Sequence, residues 1–134
     1  MIDKVKKEKL YNAAKDVIDN AYVPYSNFPL AAALLTKEGK IFTGVNIENA
    51  AYGATMCAER TAIFKAVSEG YKDFEAILVL TNTNNPVSPC GTCRQVINEF
   101  NEDLEVIMMT KDKNEITKTN NELLPGSFSK DDMK

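Results

Sequence analysis

The chain has 134 residues, 44% of them hydrophobic and 26% charged, and its formal net charge is −3. This size and composition predict one globular domain over residues 1–134 and exclude a largely disordered chain. The absence of a Lys/Arg cluster disfavours a nucleic-acid partner, and no apolar run approaches the ~20 residues that cross a bilayer. Because the charged N-terminal residues lack the apolar core of a signal peptide, we expect a cytoplasmic protein with no membrane partner.

Hydrophobic periodicity predicts helices and strands that alternate after an opening hairpin. The predicted helices cover residues 3–21, 57–68 and 90–100, with a helical turn at 120–124, and the predicted strands cover 30–36, 40–45, 74–81 and 104–110. Gly39 suits the hairpin turn because glycine tolerates positive φ. Residues 46–56 and 82–89 are predicted loops, and the charged segment from about 129 to 134 is a predicted disordered tail. This order predicts an α/β fold with helices on both faces of one sheet.

The chain has three cysteines and no histidine. Cys57 opens the second predicted helix, and Cys90 and Cys93 open the third within a Pro-Cys-Gly-Thr-Cys run. In a reducing compartment, such cysteines are typical of metal ligands or reactive thiols rather than of a disulfide. A structural zinc site is closed by four protein ligands, whereas three thiolates leave the fourth position for water, as in hydrolytic enzymes.

Glu59 lies two residues after Cys57 and is the candidate for proton transfer beside the predicted metal. Three thiolates on zinc leave a site charge of −1, which opposes activation of a bound water. Each helix N-terminus carries about half a positive charge, which is expected to offset part of this negative charge. We expect hydrogen bonds from Arg60 and Arg94 to the sulfurs to offset the rest.

Taken singly, each of these features has a simpler interpretation. Cys-x-x-Cys is also a redox motif, a lone cysteine such as Cys57 is often a buried apolar side chain, and Glu59 suits the first turn of a helix. A redox dithiol gives no role to Cys57. The combination therefore favours the signature of zinc-dependent deaminases.

Three segments resemble the small homotetrameric cytidine deaminases: residues 46–52 (Asn-Ile-Glu-Asn-Ala-Ala-Tyr), 57–62 (Cys-Ala-Glu-Arg-Thr-Ala) and 89–95 (Pro-Cys-Gly-Thr-Cys-Arg-Gln). The similarity runs from about residue 21 to about residue 128. It implies a three-layer αβα fold around a mixed sheet, one zinc ion per subunit on Cys57, Cys90 and Cys93, and a homotetramer that shares its active sites between subunits. It also implies hydrolytic deamination of cytidine and deoxycytidine to uridine and deoxyuridine in pyrimidine salvage. In this reaction zinc hydroxide attacks C4 of the ring and Glu59 is the proton shuttle.

The resemblance further implies contacts to a nucleoside. The family residues that match Asn46 and Glu48 bind the ribose 3′-hydroxyl, the one that matches Phe28 packs on the substrate, and the one that matches Phe128 reaches the base from a neighbouring subunit. The backbone of Ala58, at the start of a helix, is expected to orient the ring. A carboxylate near the sugar disfavours a 5′-phosphate, so we expect a nucleoside rather than a nucleotide.

Several alternatives remain open at this point. Tyr25 and Tyr52 match residues at the family's subunit interfaces, but the sequence does not distinguish a tetramer from a dimer. Blasticidin S deaminases share the metal motifs, and the preference between ribo- and deoxyribonucleosides is also open. A redox or non-catalytic zinc module predicts that function survives the loss of Glu59. Nucleic-acid editing predicts a basic channel.

Overall fold

A computed structural model describes residues 1–133 of the chain. The helices are α1 (Lys4–Val17), α2 (Ala58–Ser68), α3 (Gly91–Phe100) and α4 (Asn120–Leu123), and the strands are β1 (Leu30–Thr36), β2 (Ile41–Val45), β3 (Phe74–Thr81), β4 (Glu105–Thr110) and β5 (Glu115–Thr119). Short 3-10 turns cover Ile18–Asn20, Tyr52–Ala54 and Lys130–Met133. The predicted tail at 129–134 thus includes a 3-10 turn. Its disorder stays a prediction, and Lys134 lies outside the described residues.

The strands form one mixed sheet in the order β2-β1-β3-β4-β5. β1 is antiparallel to both β2 and β3, β3 and β4 are parallel, and β4 is antiparallel to β5. Helix α1 packs on one face of the sheet, and α2 and α3 pack on the other. The predicted three-layer αβα fold with a mixed sheet is confirmed.

The central strands are apolar along nearly their whole length because both of their faces are covered. Along β1, Ala31, Ala33 and Leu35 face α1, whereas Ala32 and Leu34 face α2 and α3. Two separate apolar clusters therefore form, one on each face of the sheet.

Two element predictions differ from the structure. The first helix, predicted over 3–21, ends at Val17 and continues as a 3-10 turn. Strand β5 was missed because Ile116 is its only strongly apolar residue and no position in the strand is buried. This edge strand is held by backbone pairing with β4, from Glu105↔Thr119 to Met109↔Glu115, and not by the burial of its side chains. Hydrophobic periodicity cannot detect such a strand.

The sheet topology brings the starts of α2 and α3 to the same end of the sheet, where β2 and β3 finish. β2 and β3 both lie antiparallel to β1, so they run in the same direction, and each is followed along the chain by one of these helices.

Within residues 1–133, no helix combines the length and hydrophobicity needed to cross a bilayer.

Helix α2 lies unusually close to β2 at Gly44. A Cβ at this position would lie 2.5 Å from the carbonyl oxygen of Ala58 and 2.5 Å from the backbone nitrogen of Ala62. Two side chains of α2 also donate to β2 carbonyls, Thr61 to Val45 at 3.2 Å and Lys65 to Thr43 at 2.6 Å. The start of α2 is thereby fixed against the sheet.

Candidate metal centre and substrate site

The three cysteines meet where α2 and α3 begin. Cys57 is the N-cap residue of α2, Cys90 is the N-cap residue of α3, and Cys93 lies in the first turn of α3. Their sulfur atoms all lie within 4.8 Å of one another, and the Sγ atoms of Cys57 and Cys90 are 3.7 Å apart. Among the described residues, this is the only group of three such side chains that is close enough to share a metal ion.

The donor set fits zinc. Thiolates are favoured zinc ligands, and three of them leave one coordination position for water or substrate. Cys57 and Cys90 are the N-cap residues of α2 and α3, so their sulfurs lie at the positive ends of the two helix dipoles, which favour the anionic form.

Hydrogen bonds within the cluster shift the pKa values of its thiols in opposite directions. A hydrogen bond from Cys93 lowers the pKa of Cys57 to about 5, with further contributions from Arg60 and Cys90. The same contact with Cys57, together with burial, raises the pKa of Cys93 far above its usual range. A metal ion requires the cysteines as thiolates, so its binding here releases thiol protons.

Arg60 contacts the cluster as the sequence predicts. Its Nη2 lies 3.3 Å from the Sγ of Cys57. This contact raises the pKa of the guanidinium further above its already high value, so Arg60 stays cationic beside the thiolate.

The prediction that Arg94 hydrogen-bonds to sulfur is wrong. Its guanidinium donates to the carbonyl oxygens of Pro89 (2.8 Å) and Leu123 (2.7 Å) and to the Oγ of Ser88 (3.0 Å). A helical side chain lies over the turn N-terminal to its own Cα, which directs Arg94 to the loop before Cys90. Arg94 thus ties that loop to the C-terminal segment.

Glu59 is a buried carboxylate in the first turn of α2, with 3% of its surface exposed. Its Oε1 has no hydrogen-bond partner within the described part of the chain. Burial raises the pKa of Glu59 to about 7, the negative charge of Cys57 acts in the same direction, and Arg60 and a hydrogen bond from Cys93 act against it. A carboxyl group in this setting can both accept and release a proton near neutral pH.

Asn46 and Glu48 hold the segment before β1 with their side chains. Asn46 is buried, and its amide accepts from the Leu30 N–H (2.9 Å) and donates to the Phe28 carbonyl (2.8 Å). Glu48 accepts from the backbone N–H groups of Tyr25 and Ser26. Phe28 itself is half-buried.

Ala58 and Phe128 differ in exposure. Ala58, the first residue of α2, is fully buried. Phe128 is 60% exposed, and its carbonyl accepts from Gln95 (2.9 Å) and Asn98 (3.4 Å) of α3. The side chain of Phe128 is therefore available for contacts beyond its own chain.

Sequence reasoning missed Ser26, Gly44 and the role of Arg94. Ser26 lies in a run quoted for its family resemblance, but nothing in its spacing indicates a contact with Glu48. Only the register between α2 and β2 shows that Gly44 has no room for a side chain.

Comparison with known proteins identifies one family. The family model for the "Cytidine and deoxycytidylate deaminase zinc-binding region" matches residues 4–110. The chain is 53% identical over 127 residues to a cytidine deaminase of Sporosarcina psychrophila, covering 94% of this chain and 93% of that protein. A cytidine deaminase of Halalkalibacterium halodurans is 50% identical over 130 residues, covering 95% of this chain and 97% of that protein. The crystal structure of a cytidine deaminase from Burkholderia pseudomallei superposes with a TM-score of 0.86 at 45% identity, covering 90% of this chain and 98% of that one.

Proposed function

The chain belongs to the family of zinc-dependent cytidine deaminases, and from this premise we propose that it deaminates cytidine and deoxycytidine in cytoplasmic pyrimidine salvage. The products are uridine and deoxyuridine, with release of ammonia. One observation carries the proposal: Glu59, a buried carboxylate with an oxygen that has no hydrogen-bond partner among residues 1–133, adjoins a cluster of three thiols at two helix N-termini.

Cys57, Cys90 and Cys93 are the residues that would hold the zinc ion, one per subunit. When bound, zinc supplies a Lewis acid that activates water for attack on C4 of the pyrimidine ring. Arg60 remains protonated next to Cys57 and reduces the excess negative charge of the thiolates. Helix dipoles act in the same direction.

Glu59 is the proposed proton shuttle. Its Oε1 can take one proton from the attacking water and pass it to ring N3. Glu59 can then take the remaining proton of the hydroxyl on C4 and deliver it to the amine, which leaves as ammonia while the C4 carbonyl forms. Burial supports this role because it keeps bulk water from exchanging the proton and brings the carboxyl pKa near neutrality.

The proposed nucleoside contacts are divided between polar and apolar groups. Asn46 and Glu48 bind the sugar hydroxyl, Phe28 packs on the substrate, and the backbone of Ala58 orients the ring. The hydrogen bonds of Asn46 to Phe28 and Leu30 support this arrangement, because one side chain then joins the sugar contact to the aromatic contact.

We also propose a homotetramer in which Phe128 completes the site of a neighbouring subunit. Exposed aromatic side chains support this, since Tyr25, Tyr52 and Phe128 are 54%, 82% and 60% exposed. Apolar surface of this kind is typical of interfaces. Co-purified mixtures of Glu59→Gln and Phe128→Ala chains are expected to regain activity that neither variant shows alone. If the mixture shows only the sum of the activities of the two separate variants, each subunit works independently.

The proposed function is tested by ammonia release from cytidine and deoxycytidine by the zinc-loaded protein. We expect turnover by the wild type and a loss of about 10²–10⁴-fold in Glu59→Gln with zinc retained. The matched control is Glu69→Gln, an exposed residue just beyond α2 that pairs with Lys40 at 3.7 Å. Blasticidin S is assayed in parallel. Its turnover without that of cytidine, or full activity of Glu59→Gln, would refute the proposal.

A further inference from the structure

The Glu48 carboxylate is fixed by the turn that precedes β1. Its Oε1 accepts from the backbone N–H of Tyr25 at 2.9 Å and from that of Ser26 at 3.1 Å. Its Oε2 is hydrogen-bonded to the hydroxyl of Ser26. The backbone N–H of Glu48 donates to the carbonyl of Tyr22 at 2.8 Å. Main-chain and side-chain hydrogen bonds therefore join the segment 22–26 to the segment that contains Glu48.

The hydroxyl of Ser26 both donates and accepts. An ionised carboxylate has no hydrogen to donate, so the hydroxyl donates to Glu48 Oε2. The backbone N–H of Phe28 donates to Ser26 Oγ at 3.1 Å and occupies an acceptor position on the hydroxyl. Asn27 between them adopts a φ of 56°, a left-handed conformation that asparagine tolerates, and so allows the tight reversal of the chain.

The arrangement leaves Glu48 with limited capacity for a further partner. An ionised carboxylate offers about four acceptor positions, and donors of the chain fill three of them. The hydrogen bonds, with that of the Ser26 side chain the largest, lower the pKa of Glu48 and keep it ionised. A group that binds at the remaining position must donate a hydrogen bond, as a sugar hydroxyl does and a phosphate dianion does not.

We propose that Ser26 is a positioning residue for substrate recognition, which holds Glu48 in the orientation that accepts a hydrogen bond from the sugar 3′-hydroxyl of the nucleoside. This inference rests on the proposed function and assigns to the site a residue outside the metal centre. Ser26 acts through Glu48 and contacts no reacting atom, so it affects substrate binding rather than the chemical step.

The expected signature is a change in KM with little change in kcat. A hydrogen bond to a charged group is worth about tenfold or more in binding, so Ser26→Ala should raise the KM for cytidine about tenfold and leave kcat within about twofold. Ser26→Thr keeps the hydroxyl at an exposed position and should stay within about threefold of the wild type. Ser68→Ala is the matched control, because Ser68 is an exposed serine at the opposite end of α2 from Cys57.

The experiment measures kcat and KM for these zinc-loaded proteins with cytidine and with 3′-deoxycytidine. If Ser26 acts through Glu48 on the 3′-hydroxyl, Ser26→Ala has a kcat/KM for cytidine about tenfold below that of the wild type. With 3′-deoxycytidine, the variant and the wild type should have almost equal kcat/KM values. Equal losses on both substrates, or equal losses in the Ala and Thr variants, would overturn the inference. No turnover of cytidine by the wild type would refute the proposed function itself. An active wild type with an unimpaired Ser26→Ala variant would refute only the role of Ser26.

Discussion

Both faces of the sheet carry a buried apolar cluster, yet only the face under α2 and α3 carries the candidate chemistry. On the other face, α1 contributes Leu10 and Ala14, and the 3-10 turn after it contributes Ile18, to a cluster with the odd-numbered residues of β1. The helices on the catalytic face also bury apolar side chains, such as Ile63 and Ile97. The difference lies at the helix starts, because α2 and α3 begin with cysteines whereas α1 begins with a capping aspartate, Asp3.

Among the described residues, each face also buries one glutamate that has an oxygen without a hydrogen-bond partner. On the α1 face, the other oxygen of Glu105 accepts from the backbone N–H of Ile2 at 2.8 Å and lies 3.8 Å from the N-terminal ammonium of Met1, so this residue ties the N-terminal segment to β4. On the opposite face, Glu59 adjoins titratable thiols and the cationic Arg60. The two buried glutamates therefore differ in their neighbours, since Glu105 contacts the start of the chain whereas Glu59 lies beside the candidate metal ligands.

The largest effect is expected from loss of one thiolate on the catalytic face. Cys90→Ala should weaken zinc binding by more than about 100-fold, because removal of a ligand costs more than loss of a residue that merely orients one. Ammonia release should fall to background. Zinc content after dialysis, measured by mass spectrometry, checks this against Thr92→Ala, which alters an exposed residue between the two cysteines of α3. A Cys90→Ala protein that retains full zinc would remove the proposed metal centre.

A pair of core truncations should separate stability from chemistry. Leu10→Ala on α1 and Ile97→Ala on α3 each remove a fully buried side chain, and each should cost about 2–5 kcal/mol of unfolding free energy. Only Ile97→Ala should also weaken zinc binding, because α3 and its N-cap residue carry two of the three cysteines. Urea unfolding together with zinc titration of the folded protein distinguishes the two effects. Equal zinc affinities in both variants would show that the metal centre does not depend on the packing of α3.

A smaller effect is expected where α2 meets the sheet. Gly44→Ala places a methyl group against the backbone of Ala58 and Ala62, and overpacking of this kind costs about 1–3 kcal/mol. Gly53→Ala is the matched control because a Cβ at Gly53 meets nothing within 4 Å. Thermal unfolding of both variants checks the difference. Equal melting temperatures would show that α2 can move away from β2 without cost.

These expectations show how far sequence reasoning reaches. The meeting of the three cysteines is predictable because their residue type and their spacing at helix starts indicate a shared metal ion. The catalytic role of Glu59 stays a prediction. The fold is largely predictable because β1, β3 and β4 are buried on both faces, which gives continuous apolar runs. Strand β5 is not predictable in this way, since its hydrogen bonds to β4 leave no hydrophobic pattern.

Side-chain partners of polar residues are harder to predict than ligands. Arg94 lies next to a cysteine in sequence, yet it binds carbonyl oxygens of Pro89 and Leu123. Asn46 has the residue type of a solvated loop amide but is buried against Phe28 and Leu30. Pro89 is near Arg94 in sequence, but the contacts of Arg94 with Leu123 and of Asn46 with Phe28 and Leu30 span 16 to 29 residues. Such contacts depend on the assembled fold rather than on local spacing.

The smallest effect is expected from Glu105→Gln on the α1 face. At Glu59 on the other face, the same Glu→Gln substitution is expected to remove the proposed proton shuttle. The amide oxygen of glutamine can still accept from the Ile2 N–H. The substitution removes a buried charge and, with it, a 3.8 Å ion pair to the exposed N-terminal ammonium, and these effects oppose each other, so the stability change should stay below about 1 kcal/mol. By contrast, Glu105→Ala leaves that N–H without its acceptor and should cost about 1–3 kcal/mol. In neither variant should kcat for cytidine change by more than about twofold, because Glu105 lies on the opposite face from the cysteines. Urea unfolding and steady-state kinetics on both variants test this. A large loss of kcat in Glu105→Gln would mean that the two faces are coupled, and that the chemistry is not confined to the starts of α2 and α3.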